Sequence, residues 1–304
     1  MRQGLNGWLA ASAVCAGAAS FLLSGCGKNP DSPARNQRAS NETNNPAAAV
    51  QATTIEPQSL PASPTALVPF KDAVLFEPPD GERRPPDRTV AGKNVGALFE
   101  EIAGQEGVPG LWDRIALTTP DGKPLRYTAH LKTDFGTIVI DLYAECAPNH
   151  VRNFIALARA GYYNGLPFHR SLNKQMDGQT MAYLEGGCPL GTGEFGKGSV
   201  GYWLKPEISA TLTHEEGTVG AVRGEAVESA ACKFYISLTK AAGMDGGYTI
   251  FGKISKGLDI AHTINKRPSI EDEDLSDRPK DPVIIREVTI RAGVEDSALA
   301  ARDP

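Results

Sequence analysis

The sequence has no basic block. Its 31 Lys+Arg stand against 36 Asp+Glu for a net charge of −5, so no stretch can neutralise a run of phosphates, and nucleic acid is excluded as a partner. Cysteine is scarce: five residues with no Cys-x-x-Cys pair, which removes dithiol and zinc-ribbon chemistry. The five histidines, His130, His150, His169, His214 and His262, have no metal-ligand spacing, so no metal site is expected. There is no G-x-S-x-G elbow for a serine nucleophile and no internal repeat. The apolar run Trp8 to Leu23 falls short of the roughly 20 residues that a helix needs to span a bilayer. What remains, 41% hydrophobic and 22% charged residues, is the composition of a folded soluble domain.

The first residues differ from the rest. Arg2, the apolar run and then Leu23-Ser24-Gly25-Cys26 read as an export signal over 1–26. Its ending resembles the bacterial lipobox. That resemblance implies that Cys26 carries a diacylglycerol and holds the protein to a cell-envelope membrane, facing the periplasm or the exterior, since several acyl chains on one residue anchor stably; an ordinary cleaved signal is the alternative. From 27 to 68 the chain is rich in Pro, Ala, Asn, Ser and Thr without a sustained apolar period, the composition of a disordered tether. With Cys15 and Cys26 accounted for, Cys146, Cys188 and Cys232 remain, and Cys188 with Cys232 is the expected pair if an exported chain forms one bridge.

Residues 69–126 are expected to form an extension that packs on the next domain, because Val95, Leu98, Phe99 and Ile102 make one helical stripe that needs covering; Leu111, Trp112 and Ile115 are read as its continuation. The main domain, 127–293, opens with a hairpin: Tyr127 to Thr133, a turn at Asp134-Phe135-Gly136, and Thr137 to Leu142. A helix follows from Ala147-Pro148, with Val151, Phe154, Ile155 and Ala158 on one face and Gly161 as its stop. Short β-prone runs come next, at Gly217 to Val222, Lys233 to Leu238, Tyr248 to Ile254 and Val283 to Ile290, with an amphipathic helix around Leu258 to Ile264. The fold class is mainly β, a closed barrel capped by two helices, with a flexible tail over 294–304.

The ordered landmarks Asn153-Phe154, Gly161-Tyr162-Tyr163-Asn164-Gly165, Phe168-His169-Arg170, Gly186-Gly187, Gly191-Thr192-Gly193, Phe234-Tyr235-Ile236, Met244-Asp245-Gly246 and Phe251-Gly252-Lys253 resemble the cyclophilins over about 165 residues. The resemblance implies an eight-stranded barrel that isomerises prolyl peptide bonds without a cofactor. Arg170 stands at the family's catalytic arginine. Phe168, His169, Tyr183, Glu185, Val222, Arg223, Lys233, Tyr235, Met244 and Tyr248 stand at or beside its substrate-binding positions. The chain departs from the family around the arginine: Ala182-Tyr183-Leu184-Glu185 replaces Phe-Met-x-Gln, Val222-Arg223 replaces Ala-Asn, and Lys233-Phe234-Tyr235 replaces Gln-Phe-Phe. An ionised Glu185 would pair with Arg170 and partly neutralise it. The reading is therefore a peptidyl-prolyl cis-trans isomerase, monomeric, acting on proline-containing segments of exported proteins; the alternative is a catalytically weak proline-binding or chaperone module. Gly191 to Gly196 spells G-x-G-x-x-G but lacks the strand before and helix after that dinucleotide binding needs, and Glu271 to Asp274 reads as a solvated acidic loop.

Overall fold

A computed structural model describes residues 67–79, 83–176, 179–193, 199–270 and 277–294. The export signal, Cys26, the tether up to 66, the acidic run 271–274 and residues 295–304 lie outside the described residues.

The chain enters through a one-turn helix, α1 (Phe70–Ala73), and a two-residue strand, β1 (Val74–Leu75). Helix α2 (Val95–Ala103) buries Val95, Leu98 and Ile102, and the Asn94 side chain caps it by accepting from the Ala97 N–H at 2.8 Å. A small hairpin, β2 (Gly104–Gln105) with β3 (Val108–Pro109), then turns the chain back. Leu111 and Trp112 lie in a turn over 111–114 and Ile115 just after it, not in the expected helical continuation. The cause is local: the Leu111 and Trp112 N–H groups donate to the Glu101 and Ile102 carbonyls at 2.9 and 3.2 Å. A Cβ on Gly110 would sit 2.1 Å from that Ile102 oxygen, so only glycine lets the chain fold across the end of α2.

Strands β4 (Leu125–Thr133) and β5 (Gly136–Leu142) form the expected hairpin, followed by α3 (Pro148–Arg159), β6 (Arg170–Met176), β7 (Gln179–Gly186), β8 (Trp203–Leu204), β9 (Thr218–Ala221), β10 (Phe234–Ser237), β11 (Ile250–Lys256), α4 (Leu258–Asn265) and β12 (Glu287–Val294). Ile138, Ile140 and Leu142 alternate inward along β5, and α3 is buried from His150 to Ala158. Eight strands form one antiparallel sheet in the order β12-β4-β5-β11-β9-β10-β7-β6.

Among the described residues this sheet is not the closed ladder expected from the sequence. Its edge strands β12 and β6 are not paired with each other; the segments leading into them meet at one bridge, Pro167 with Ile284. Around it Gly165 N–H donates to Ile285 O at 2.8 Å, Ile285 N–H to Leu166 O at 2.9 Å, and Phe168 N–H to Val283 O at 2.9 Å. Those bonds also explain why the last strand begins at Glu287 and not at Val283: the backbone of 283–285 is engaged with 165–168. The hairpin β6–β7 was not anticipated from sequence, because Asn173, Lys174 and Gln175 are exposed and polar and blur the period of two; the Asp177-Gly178 pair between its strands is the signal that marks such a turn.

The segment ahead of β4 is knitted into the same core. Phe70 stands edge-on to Trp112 at 5.5 Å and to Tyr202 at 5.0 Å between ring centroids, and β1 pairs with β8. From α3, the buried Arg152 donates to the carbonyls of Val68 and Trp112, reaches Asp113 at 3.6 Å, and lies 4.8 Å from the Trp112 ring, a cation–π distance. Cys146, Cys188 and Cys232 are not joined in disulfides, so the expected Cys188–Cys232 bridge is absent. Burial pushes the Cys232 thiol up to about 12, and Tyr162 donates to it at 3.1 Å. Such a thiol is not a nucleophile at neutral pH.

Candidate active site around Arg170

Arg170 opens β6 and Glu185 lies directly across from it on β7; on the other side of β7, Tyr235 of β10 is also paired with Glu185. The sheet register thus sets an arginine, a glutamate and a tyrosine in one row across three strands. The Arg170 Nη1 donates to Glu185 Oε1 at 2.9 Å. The Glu185 residue is buried, at 7% exposure, and the arginine side chain is 32% exposed.

Asp277, which no sequence motif indicated, completes the guanidinium's surroundings. Its Oδ2 accepts from Arg170 Nε at 2.8 Å and also from Nη2. The Tyr183 ring lies 5.5 Å from the guanidinium carbon. Burial opposes the guanidinium's charge, but Glu185, Tyr183 and Asp277 more than offset it, and the arginine's pKa is raised. Burial likewise pushes the Glu185 carboxyl up; contact with His169 and the charge of Arg170 outweigh it and hold the carboxyl below the ordinary glutamate value. The glutamate is therefore ionised at neutral pH, as the sequence reading required. His169 is shifted down by its burial, against the pull of Glu185, so the neutral imidazole is favoured. Its Nε2 lies 3.5 Å from Glu185 Oε2, too long for a strong hydrogen bond.

The remaining expected residues divide into two groups. Tyr235 and Tyr248 stand edge to face at 6.0 Å, and Arg223 lies over Tyr248 at 4.6 Å while donating through Nε to Gly247 O at 3.0 Å. Val222 N–H donates to Lys233 O at 3.1 Å, which extends the β9–β10 pairing by one residue. Met244 lies half-buried in a tight turn just before Asp245. Phe168 and His169 do not face a groove: Phe168 is fully buried, edge-on to Phe234 at 6.2 Å, and His169 is 2% exposed. Alternation accounts for His169, the immediate neighbour of Arg170; Phe168 lies ahead of β6, where its N–H donates to Val283 O and its ring packs into the core.

One further residue was passed over among the scattered histidines. His214 Nδ1 lies 2.7 Å from Asp245 Oδ1, and its Nε2 lies 2.6 Å from the Tyr235 hydroxyl. A carboxylate only accepts, so in the neutral ring Nδ1 carries the proton and Nε2 accepts from the phenol. Tyr235 is thereby fixed; a Cβ on Gly220 would sit 2.1 Å from its oxygen, so glycine is needed where the phenol crosses β9. The spacing Asp245 to Tyr248 gives no hint of this chain, which depends on β10 and the loop before β9 meeting in space.

A half-exposed arginine held by carboxylates beside a tyrosine cluster, on a mainly β sheet with few helices, is the arrangement against which known families can be compared. The model of the family described as cyclophilin type peptidyl-prolyl cis-trans isomerase/CLD matches residues 128–290. The chain belongs to this family. Among its relatives, peptidyl-prolyl cis-trans isomerase ppi1 of Schizosaccharomyces pombe is 34% identical over 161 residues, covering 53% of this chain and 97% of that protein. Peptidyl-prolyl cis-trans isomerase-like 2 of Rhizopus delemar is 32% identical over 160 residues, and there the match spans only 28% of the relative's length. A crystal structure of a cyclophilin type isomerase from Cryptosporidium parvum is 26% identical, with a TM-score of 0.48, covering 55% of this chain and 99% of that one. Cyclophilin-type isomerases catalyse rotation about X-Pro bonds, and Arg170, Glu185 and Tyr235 lie inside the matched span. The residues ahead of Tyr127 lie outside it.

Proposed function

We propose that the domain over 127–293 is a peptidyl-prolyl cis-trans isomerase whose catalytic residue is Arg170. Rotation about an amide faces a barrier of about 18–20 kcal/mol because the nitrogen lone pair is delocalised, and an X-Pro bond left alone isomerises over tens of seconds or longer. A fixed, charged donor that meets the nitrogen lone pair and the carbonyl oxygen of the twisted bond stabilises that state more than either planar state. The observation that carries this reading is the half-exposed Arg170 guanidinium, clamped at a fixed orientation beside Tyr183. The half-buried Tyr248 supplies an apolar ring face for a proline side chain, and Tyr235, which is only 4% exposed, packs edge to face against it.

Assay of the full chain on a panel of X-Pro peptides, by protease-coupled or exchange NMR measurement, is expected to give a saturable rate above the uncatalysed one. Proline peptides that bind without any acceleration would favour the second reading, a binding or chaperone module. The feature on that side is Glu185, whose charge withdraws part of the guanidinium's capacity.

The remaining parts of the reading rest on sequence. The Leu23-Ser24-Gly25-Cys26 ending supports a lipid anchor at Cys26 in a cell envelope, with 27–68 as the tether, 69–126 as an extension of the isomerase domain, and proline-containing segments of exported proteins as clients of a monomer. Labelled palmitate is expected to enter the wild-type chain in bacterial cells and to be lost with Cys26→Ser; label retained in that variant would sink the anchor.

A further inference from the structure

Asp277 lies 107 residues from Arg170 in the chain and is nevertheless tied to the start of β6 twice. Besides the side-chain contacts at Nε and Nη2, its backbone carbonyl accepts from the Ser171 N–H at 2.7 Å. The segment that carries it is fixed at its base, since Ser269 bridges Pro279, Ile270 N–H donates to Arg278 O at 2.8 Å, and Lys280 N–H to Pro268 O at 2.9 Å. The carboxylate is thus presented by ordered backbone. A guanidinium carries five N–H groups in one plane. Asp277 takes the Nε–H and one on Nη2, and Glu185 takes one on Nη1, which leaves one on each terminal nitrogen for a substrate.

We propose that Asp277 is a positioning residue of the isomerase site: it sets the plane of the Arg170 guanidinium from one edge while Glu185 holds the other, so that the two remaining N–H groups meet the prolyl amide. This inference rests on the reading of Arg170 as the catalytic residue. A single carboxylate on Nη1 fixes a point but leaves the plane free to rotate about it. A second carboxylate at Nε removes that freedom, and misplacement of a catalytic group by about 1 Å can cost up to 10²-fold in rate.

The test compares the full-length wild type with Asp277→Ala and Asp277→Asn in isomerisation kinetics and in the NMR signal of the Arg170 Nε–H. Both variants keep the Ser171 backbone bond, and thermal unfolding checks that they fold. Asp277→Ala is expected to lose about tenfold in kcat with KM within twofold, and its Nε–H signal is expected to shift and to exchange faster with water. Asp277→Asn, which keeps an acceptor without the charge, is expected to recover most of the rate. An active wild type with an Asp277→Ala variant equal to it or faster would overturn this inference alone, and so would an unmoved Nε–H signal. No rate in the wild type would overturn the isomerase reading and this inference with it.

Discussion

Replacing Arg170 by alanine is expected to lower kcat/KM on X-Pro peptides by about 10²-fold or more, the usual cost of removing a donor that acts in the transition state. The variant is also expected to be less stable. Glu185 is 7% exposed and would be left with His169 as its nearest partner, at 3.5 Å. Stranding a buried acceptor costs about 1–3 kcal/mol and more when it is charged, while the 32% exposure of the arginine side chain lets water screen the loss and holds it to about that range. The two effects separate in a double variant, Arg170→Ala with Glu185→Gln. A neutral amide costs less to leave buried, so stability should return while activity stays lost. Isomerisation by Arg170→Ala within twofold of wild type, at equal folded fraction, would remove the arginine from the mechanism.

Trp112→Ala is expected to be the more damaging change to the fold, at about 3–5 kcal/mol, as for large aromatics deleted from a core. Trp112 has no exposed surface. Its ring packs against Phe70 and Arg152, and its Nε1 donates to Val68 O at 3.2 Å. The loss should be read by urea unfolding as a lower midpoint in one transition, because α2, the Phe70 segment and α3 share one core. A loss under about 1 kcal/mol, or a separate early transition for the region ahead of β4, would contradict that shared core.

What was legible in the sequence follows the physics of each element. The β4–β5 hairpin, α3, α4 and the stripe of α2 were readable because a single burial direction imposes a period on the residues themselves. The β6–β7 hairpin was not, since Asn173, Lys174 and Gln175 face water and leave no alternation to see. The start of β12 was misplaced because Val283 and Ile285 are buried, apolar and strand-like, yet their backbone groups bond the 165–168 segment. Arg170 and Glu185 were found through their neighbours in the chain, and their pairing follows from register. Asp277 and His214 were missed for a common reason: each acts on a residue far along the chain, and nothing near Asp277 or His214 in sequence records the contact.

The attachment at Val68 has a mechanical consequence. A pull on the chain from its N-terminal side reaches the domain at a carbonyl held by Arg152 and Trp112, and passes into α3 and, through β1, into β8. The strands that carry Arg170, Glu185 and Tyr235 are not in that line of load. A load applied at Val68 would therefore strain α3 and β8 before β6, β7 and β10, which carry the site.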